Sequence, residues 1–141
     1  PYFILIERAL RDEGTSHHYH APARYSKLDP KLHQAVIEAS QRVSRPVYTG
    51  ASWTTDAPFR ETQAAIERAK SEGILAVEME AAALYAFAKV RDESVVCFAH
   101  VTNQMGEAEE DFEKGEADGS VASLEVVDAA VTAWQECRDQ P

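Results

Sequence analysis

Three short segments of this chain carry side chains that could do chemistry: Glu78-Met79-Glu80, residues 53–59, and Thr102-Asn103-Gln104. Glu78 and Glu80 stand where an apolar run, residues 74–77, gives way to the alanine-rich "AAALYAFA". Carboxylates in so apolar a setting cost desolvation energy unless donors satisfy them. Two kinds of donor fit. One is the first turn of a helix, whose free N–H groups and dipole favour an acid. The other is a polyol such as ribose, whose hydroxyls each contribute about 1.5–3 kcal/mol when they donate to a charged acceptor. Met79 is ordinary core in the first case and a polarisable surface for the sugar in the second. The residue pattern leaves both open.

Other chemistries find less support. In "HHYH", residues 17–20, successive side chains of an extended chain face opposite sides, so His17 and His18 do not share an ion. No HExxH or paired-cysteine spacing accompanies them, and no metal is expected. His100 lies in an apolar stretch and reads as a satisfied core histidine. Gly14, Thr15 and Ser16 are not followed by a Walker-type lysine, and no G-x-S-x-G elbow occurs.

These segments need elements to hold them. With 141 residues, 45% hydrophobic, the chain suits one domain with a real core. Residues 2–6, 46–51, 74–77 and 95–101 read as strands. Asp29 and Pro30 signal a helix start, with Leu32, Val36, Ala39 and Val43 as its stripe up to Ser44. Residues 61–72 read as a helix closed by Gly73. The alanine-rich segment follows as another helix, and Val121, Leu124, Val127, Val131 and Trp134 mark an amphipathic last one. Residues 11–28 read as a strand end and a long loop, residues 52–62 as a second loop, and the acidic stretch 107–118 as a solvated one. The class is therefore α/β, a central sheet flanked by helices. The three chemical segments each follow an apolar strand, where ligands gather in such sheets.

Fourteen Lys plus Arg stand against 24 Asp plus Glu, a net charge of -10, which argues against broad binding to nucleic acid or anionic lipid. No apolar run reaches the ~20 residues of a membrane span, and residues 1–14 lack a secretory leader's pattern. Two cysteines, Cys97 and Cys137, form no disulfide framework, so the expected setting is reduced and cytoplasmic.

In this order, "ALRDEGTSHHYHAP", "GASWTTDAPFRET", "VEMEAAALYAFA" and "AHVTNQMG" resemble the nucleoside phosphorylase superfamily, which holds purine nucleoside phosphorylases, uridine phosphorylases and related nucleosidases. The resemblance implies a mixed central sheet and phosphorolysis of a purine nucleoside or uridine, with phosphate as co-substrate and no other cofactor. It gives Glu80 the ribose hydroxyls, packs Met79 on the sugar with Glu78 beside them, sets Phe59 against the base or ribose, and makes Asn103 the catalytic partner of the leaving base. It also implies a homo-oligomer. Asn103 stands where the nucleosidases and hexameric purine enzymes carry an acid, and an amide donates a hydrogen bond but no proton. The interval from Phe59 to Glu78 lacks the insertion that bears a glutamine–arginine pair in uridine phosphorylases. The family's glycine-rich phosphate loop and its arginines would lie upstream of residue 1, so the expected domain, 1–141, is a partial one without its N-terminal half. A nucleoside-binding or assembly module without turnover, or a hydrolytic nucleosidase, is the alternative.

Overall fold

The computed structural model of the chain describes residues 2–102 and 116–139. Among the described residues, five strands and four α-helices follow in the order β1 (Tyr2–Asp12), β2 (Tyr25–Lys27), α1 (Pro30–Ser40), β3 (Val47–Thr55), α2 (Gln63–Ser71), β4 (Ile74–Glu78), α3 (Ala81–Arg91), β5 (Phe98–Val101) and α4 (Ser120–Arg138). The sheet order is β2-β1-β3-β4, and β5 also pairs with β1. β1, β3 and β4 are mutually parallel, while β2 and β5 run antiparallel to β1. The expected mixed central sheet with flanking helices is what forms.

β1 is the spine. Phe3, Ile4, Leu5 and Ile6 are all buried, as a strand covered on both faces requires. Its register with β3 slips between Ile6 and Arg8. On β1's other side, β5 takes Tyr2 to Leu5 and β2 takes Arg8 to Leu10. One core cluster joins Leu5, Ile6, Leu32, Val36, Tyr85 and Ala133. The alanines of α3 let it lie close to β1, and the Tyr85 hydroxyl donates to the Ile6 carbonyl at 2.6 Å while accepting from Cys97 N at 3.1 Å. Burial pushes the Cys97 thiol up to about 12 and the Tyr85 phenol higher still, so both stay neutral.

Some local expectations hold. Asp29 Oδ1 accepts from Lys31 N and Leu32 N at the start of α1, a cap contributing about 1 kcal/mol. Gly73, just beyond α2, takes the left-handed φ of 72° that suits glycine.

Other expectations are corrected. β1 runs on to Asp12, and β2 lies inside the stretch read as loop; three residues are too few to show a period. β3 continues through Ser52 to Thr55, although these polar residues look like loop; they are buried with their hydroxyls satisfied. α1 stops at Ser40, short of Ser44. β5 begins at Phe98, three residues later than read, and its residues are half-buried. His100, read as a satisfied core histidine, is instead only half-buried: it stacks on Phe3 at 4.6 Å and lines a cleft, and desolvation lowers its pKa. In α4 the stripe Val121, Leu124, Val127 and Val131 is exposed, whereas Val126, Ala130 and Ala133 face the core. Helical spacing defines a face; it does not say which face turns inward. Among the described residues, no helix is long and apolar enough to cross a membrane. Most of the acidic stretch lies outside the described residues.

Candidate active site

β3 and β4 are parallel neighbours with Thr54 opposite Glu78, so both end at the same edge of the sheet. There Glu78 spans the gap between β3 and the start of α3. Its Oε1 accepts from Ser52 Oγ at 2.8 Å and Thr54 Oγ1 at 2.5 Å. Its Oε2 accepts from the backbone N of Glu80 at 2.8 Å and of Ala81 at 2.6 Å. Thr54 Oγ1 in turn accepts from Ala82 N at 3.0 Å. Three successive N–H groups at the head of α3, which helix geometry leaves without intrahelical partners, are thus met by side chains of β3 and β4.

Glu80 occupies the N-cap position of α3, yet its side chain makes no cap bond. It is exposed, and its carboxylate accepts from Met79 N at 3.2 Å. Of the two carboxylates, the one that serves the helix start is Glu78. Met79 is half exposed beside it.

The loop after β3 leaves the sheet at the same edge. Trp53 Nε1 donates to Asp12 Oδ2 at 2.8 Å, and Thr55 Oγ1 accepts from Ala57 N at 3.1 Å. Beyond them the chain makes a 3-10 turn, Pro58–Arg60, on which Phe59 is fully exposed. Asp56 Oδ2 accepts from Gly14 N at 3.0 Å, which brings the end of β1 to the same edge.

That junction is organised by Arg11, a residue sequence reasoning passed over. Buried, it donates from Nε to Ser16 Oγ at 2.8 Å, from Nη1 to the Ala21 carbonyl at 2.7 Å, and from Nη2 to the His20 carbonyl at 3.0 Å; His17 Nδ1 lies 3.3 Å from Nη2. Glu13 Oε2 accepts from Ser16 N at 2.9 Å. Burial alone would raise the Glu13 carboxyl, but hydrogen bonds from Ser16 and Thr15 and the nearby His17 outweigh it and hold the group below its usual range. An arginine at the polar end of an apolar strand was the available signal.

The third segment does not meet the other two as expected. β5 runs opposite to β1 and pairs Val101 with Tyr2, so Thr102 follows at the amino end of β1. A cleft lined by Trp53, Ile74, Val77, His100 and Thr102 still brings β5 near β4. Asn103 lies outside the described residues. Among the described residues, no cluster of three His, Cys, Asp or Glu side chains could hold a metal ion.

Comparison with known proteins gives a family and a fold. The model of the "Phosphorylase superfamily" matches residues 2–132. A search of curated proteins found no match. Among solved structures, AMP nucleosidase from Bacteroides thetaiotaomicron is 19% identical at a TM-score of 0.71, over 98% of this chain and 56% of that one. Uridine phosphorylase from Vibrio fischeri is 22% identical at 0.70, over 99% and 56%. At such identities the likeness is one of fold, and this chain spans a little over half the length of either structure.

Proposed function

The chain belongs to the phosphorylase superfamily, and from that premise we propose that the Glu80 corner is the sugar-binding part of a site for phosphorolysis of a nucleoside. In this reaction a phosphate oxygen attacks the anomeric carbon of a purine nucleoside or uridine. The bond to the base breaks, its electron pair leaves with the base, and ribose 1-phosphate forms. Positive charge builds on the sugar as the bond lengthens. A fixed carboxylate on the ribose hydroxyls both positions the ring and suits that charge.

One observation carries this reading: Glu80 is an exposed carboxylate that, among the described residues, accepts one bond, from Met79 N, and so has acceptor directions to offer sugar hydroxyls. Met79 gives the sugar an apolar contact and Phe59 faces the base or ribose; Asn103, outside the described residues, is given to the departing base by the resemblance alone. Phosphate is the co-substrate, with no further cofactor, and the working form is a homo-oligomer.

The test is release of ribose 1-phosphate from inosine and uridine as phosphate is varied, with Glu80→Ala as control. Phosphate-dependent turnover lost in the variant supports the proposal, and turnover unchanged in Glu80→Ala overturns it. A second reading, nucleoside binding without turnover, is favoured by the full exposure of Phe59, which leaves the base side open. Binding of either nucleoside with no product at any phosphate concentration would establish it. Turnover indifferent to phosphate would instead identify hydrolysis.

A further inference from the structure

Resting on the sugar-binding reading of Glu80, we propose that Glu78 is a positioning residue and not a ligand of the substrate. An ionised carboxylate offers about four lone-pair directions. All four are taken: two by the hydroxyls of Ser52 and Thr54, two by the backbone N–H groups of Glu80 and Ala81. Both hydroxyls belong to buried residues, so neither can turn to water if the carboxylate leaves. A sugar hydroxyl reaching Glu78 would have to displace one of these donors.

What the four bonds fix is the corner itself. Glu80 has φ -130° and ψ -36°, a conformation outside the helix that starts at the next residue. Glu78 holds the N–H groups on both sides of that Cα, while Thr54 takes the next one at Ala82. With its backbone tied at Glu80 N and Ala81 N, the Glu80 side chain is set out from the sheet edge before any ligand arrives. Glu78 thus acts through Glu80, and Thr54 is its partner in doing so.

The head of α3 is closed as well. Helix N-termini attract phosphate because their N–H groups are unpaired and the dipole is positive there. Here an internal carboxylate already occupies the N–H groups of Glu80 and Ala81 and opposes a second anion. Phosphate is therefore held by groups other than the start of α3.

The experiment compares Glu78→Ala, Glu78→Gln, Thr54→Val and Glu80→Gln in this chain, reading amide hydrogen exchange and calorimetric binding of inosine and uridine. A glutamine at 78 can keep its oxygen on the two N–H groups while its amine meets the two hydroxyl oxygens, which preserves the tie on the corner although the two hydroxyl protons lose their acceptor. It should change nucleoside Kd by less than about threefold, whereas Glu78→Ala and Thr54→Val weaken it about tenfold. Exchange at Glu80, Ala81 and Ala82 should rise at least about tenfold in Glu78→Ala and stay unchanged in Glu80→Gln. Two results overturn the proposal: Glu78→Gln weakening binding as much as Glu80→Gln while Thr54→Val does nothing, or exchange at 80–82 unaltered in Glu78→Ala. Should Glu78→Ala fail to fold, Glu78→Gln and Thr54→Val carry the same comparison. If the unmodified chain binds neither nucleoside, the sugar-binding reading fails, and the exchange data alone decide whether Glu78 ties the corner.

Discussion

The β4–α3 corner and the turn after β3 stand at the same edge of the sheet and are built in opposite ways. At the corner, a half-buried carboxylate has every acceptor direction filled, and three backbone N–H groups are satisfied by side chains. At the turn, Pro58–Arg60 buries no residue, has no side-chain cap, and leaves Phe59 wholly exposed. The corner's geometry is fixed before binding, so a ligand there loses little to ordering. The turn must be ordered by whatever it touches. On the proposed reading, the preset corner would hold the constant group, the sugar, while the open turn would adapt to different bases.

The sharpest way to break this comparison is thermodynamic. Glu78→Ala strips the acceptors from two buried hydroxyls and two N–H groups and should lower unfolding stability by about 3 kcal/mol in urea denaturation. Phe59→Ala should change it by less than about 0.5 kcal/mol, since no described residue packs on the ring. Equal losses would erase the distinction. A smaller effect concerns dynamics: saturating inosine or uridine should slow amide exchange across residues 57–61 by about tenfold and leave residues 80–82 unchanged. Slowing at both places would mean that the corner is not preset.

Two weaker predictions test the framework behind the corner and the turn. The depressed Glu13 carboxyl contributes stability that is present above its ordinary value of 4.5 and is lost as pH falls through the lower folded value. Glu13→Gln should therefore be less stable than the unmodified chain at pH 7, with the gap closing below pH 4.5 in acid-dependent thermal melts. The smallest expected signal is at Cys97: with its thiol pushed up to about 12, it should resist a disulfide reagent at pH 8 in the native state and react only on unfolding. Rapid native labelling of Cys97 would show that the packing of α3 on β1 is looser than described.

What the sequence disclosed follows from the range of the interactions involved. The apolar start of β1, the Asp29 cap and the glycine after α2 depend on neighbours a few residues away, and all were legible. Ser52 and Thr54 were not, because what makes them strand residues is Glu78, more than twenty positions on. The direction of β5 depends on its pairing with β1 and leaves no local trace. In α4, both faces carry valines or alanines, so spacing alone could not tell the covered face from the open one. Glu78 and Glu80 were singled out together. What separates their surroundings is a pair of hydroxyls on a distant strand.

The Arg11 guanidinium has one further consequence. Residues 16–21 contain little regular structure of their own, and their polar groups converge on that single cation, with the Tyr19–Phe87 ring contact as an outside brace. Such an arrangement behaves as a knot drawn by one thread: neutralise or shorten the thread and hydroxyl and carbonyls are orphaned together. The excursion between β1 and β2 is thus a single cooperative unit, and the Gly14–Asp56 bond carries its fate to the far end of β3.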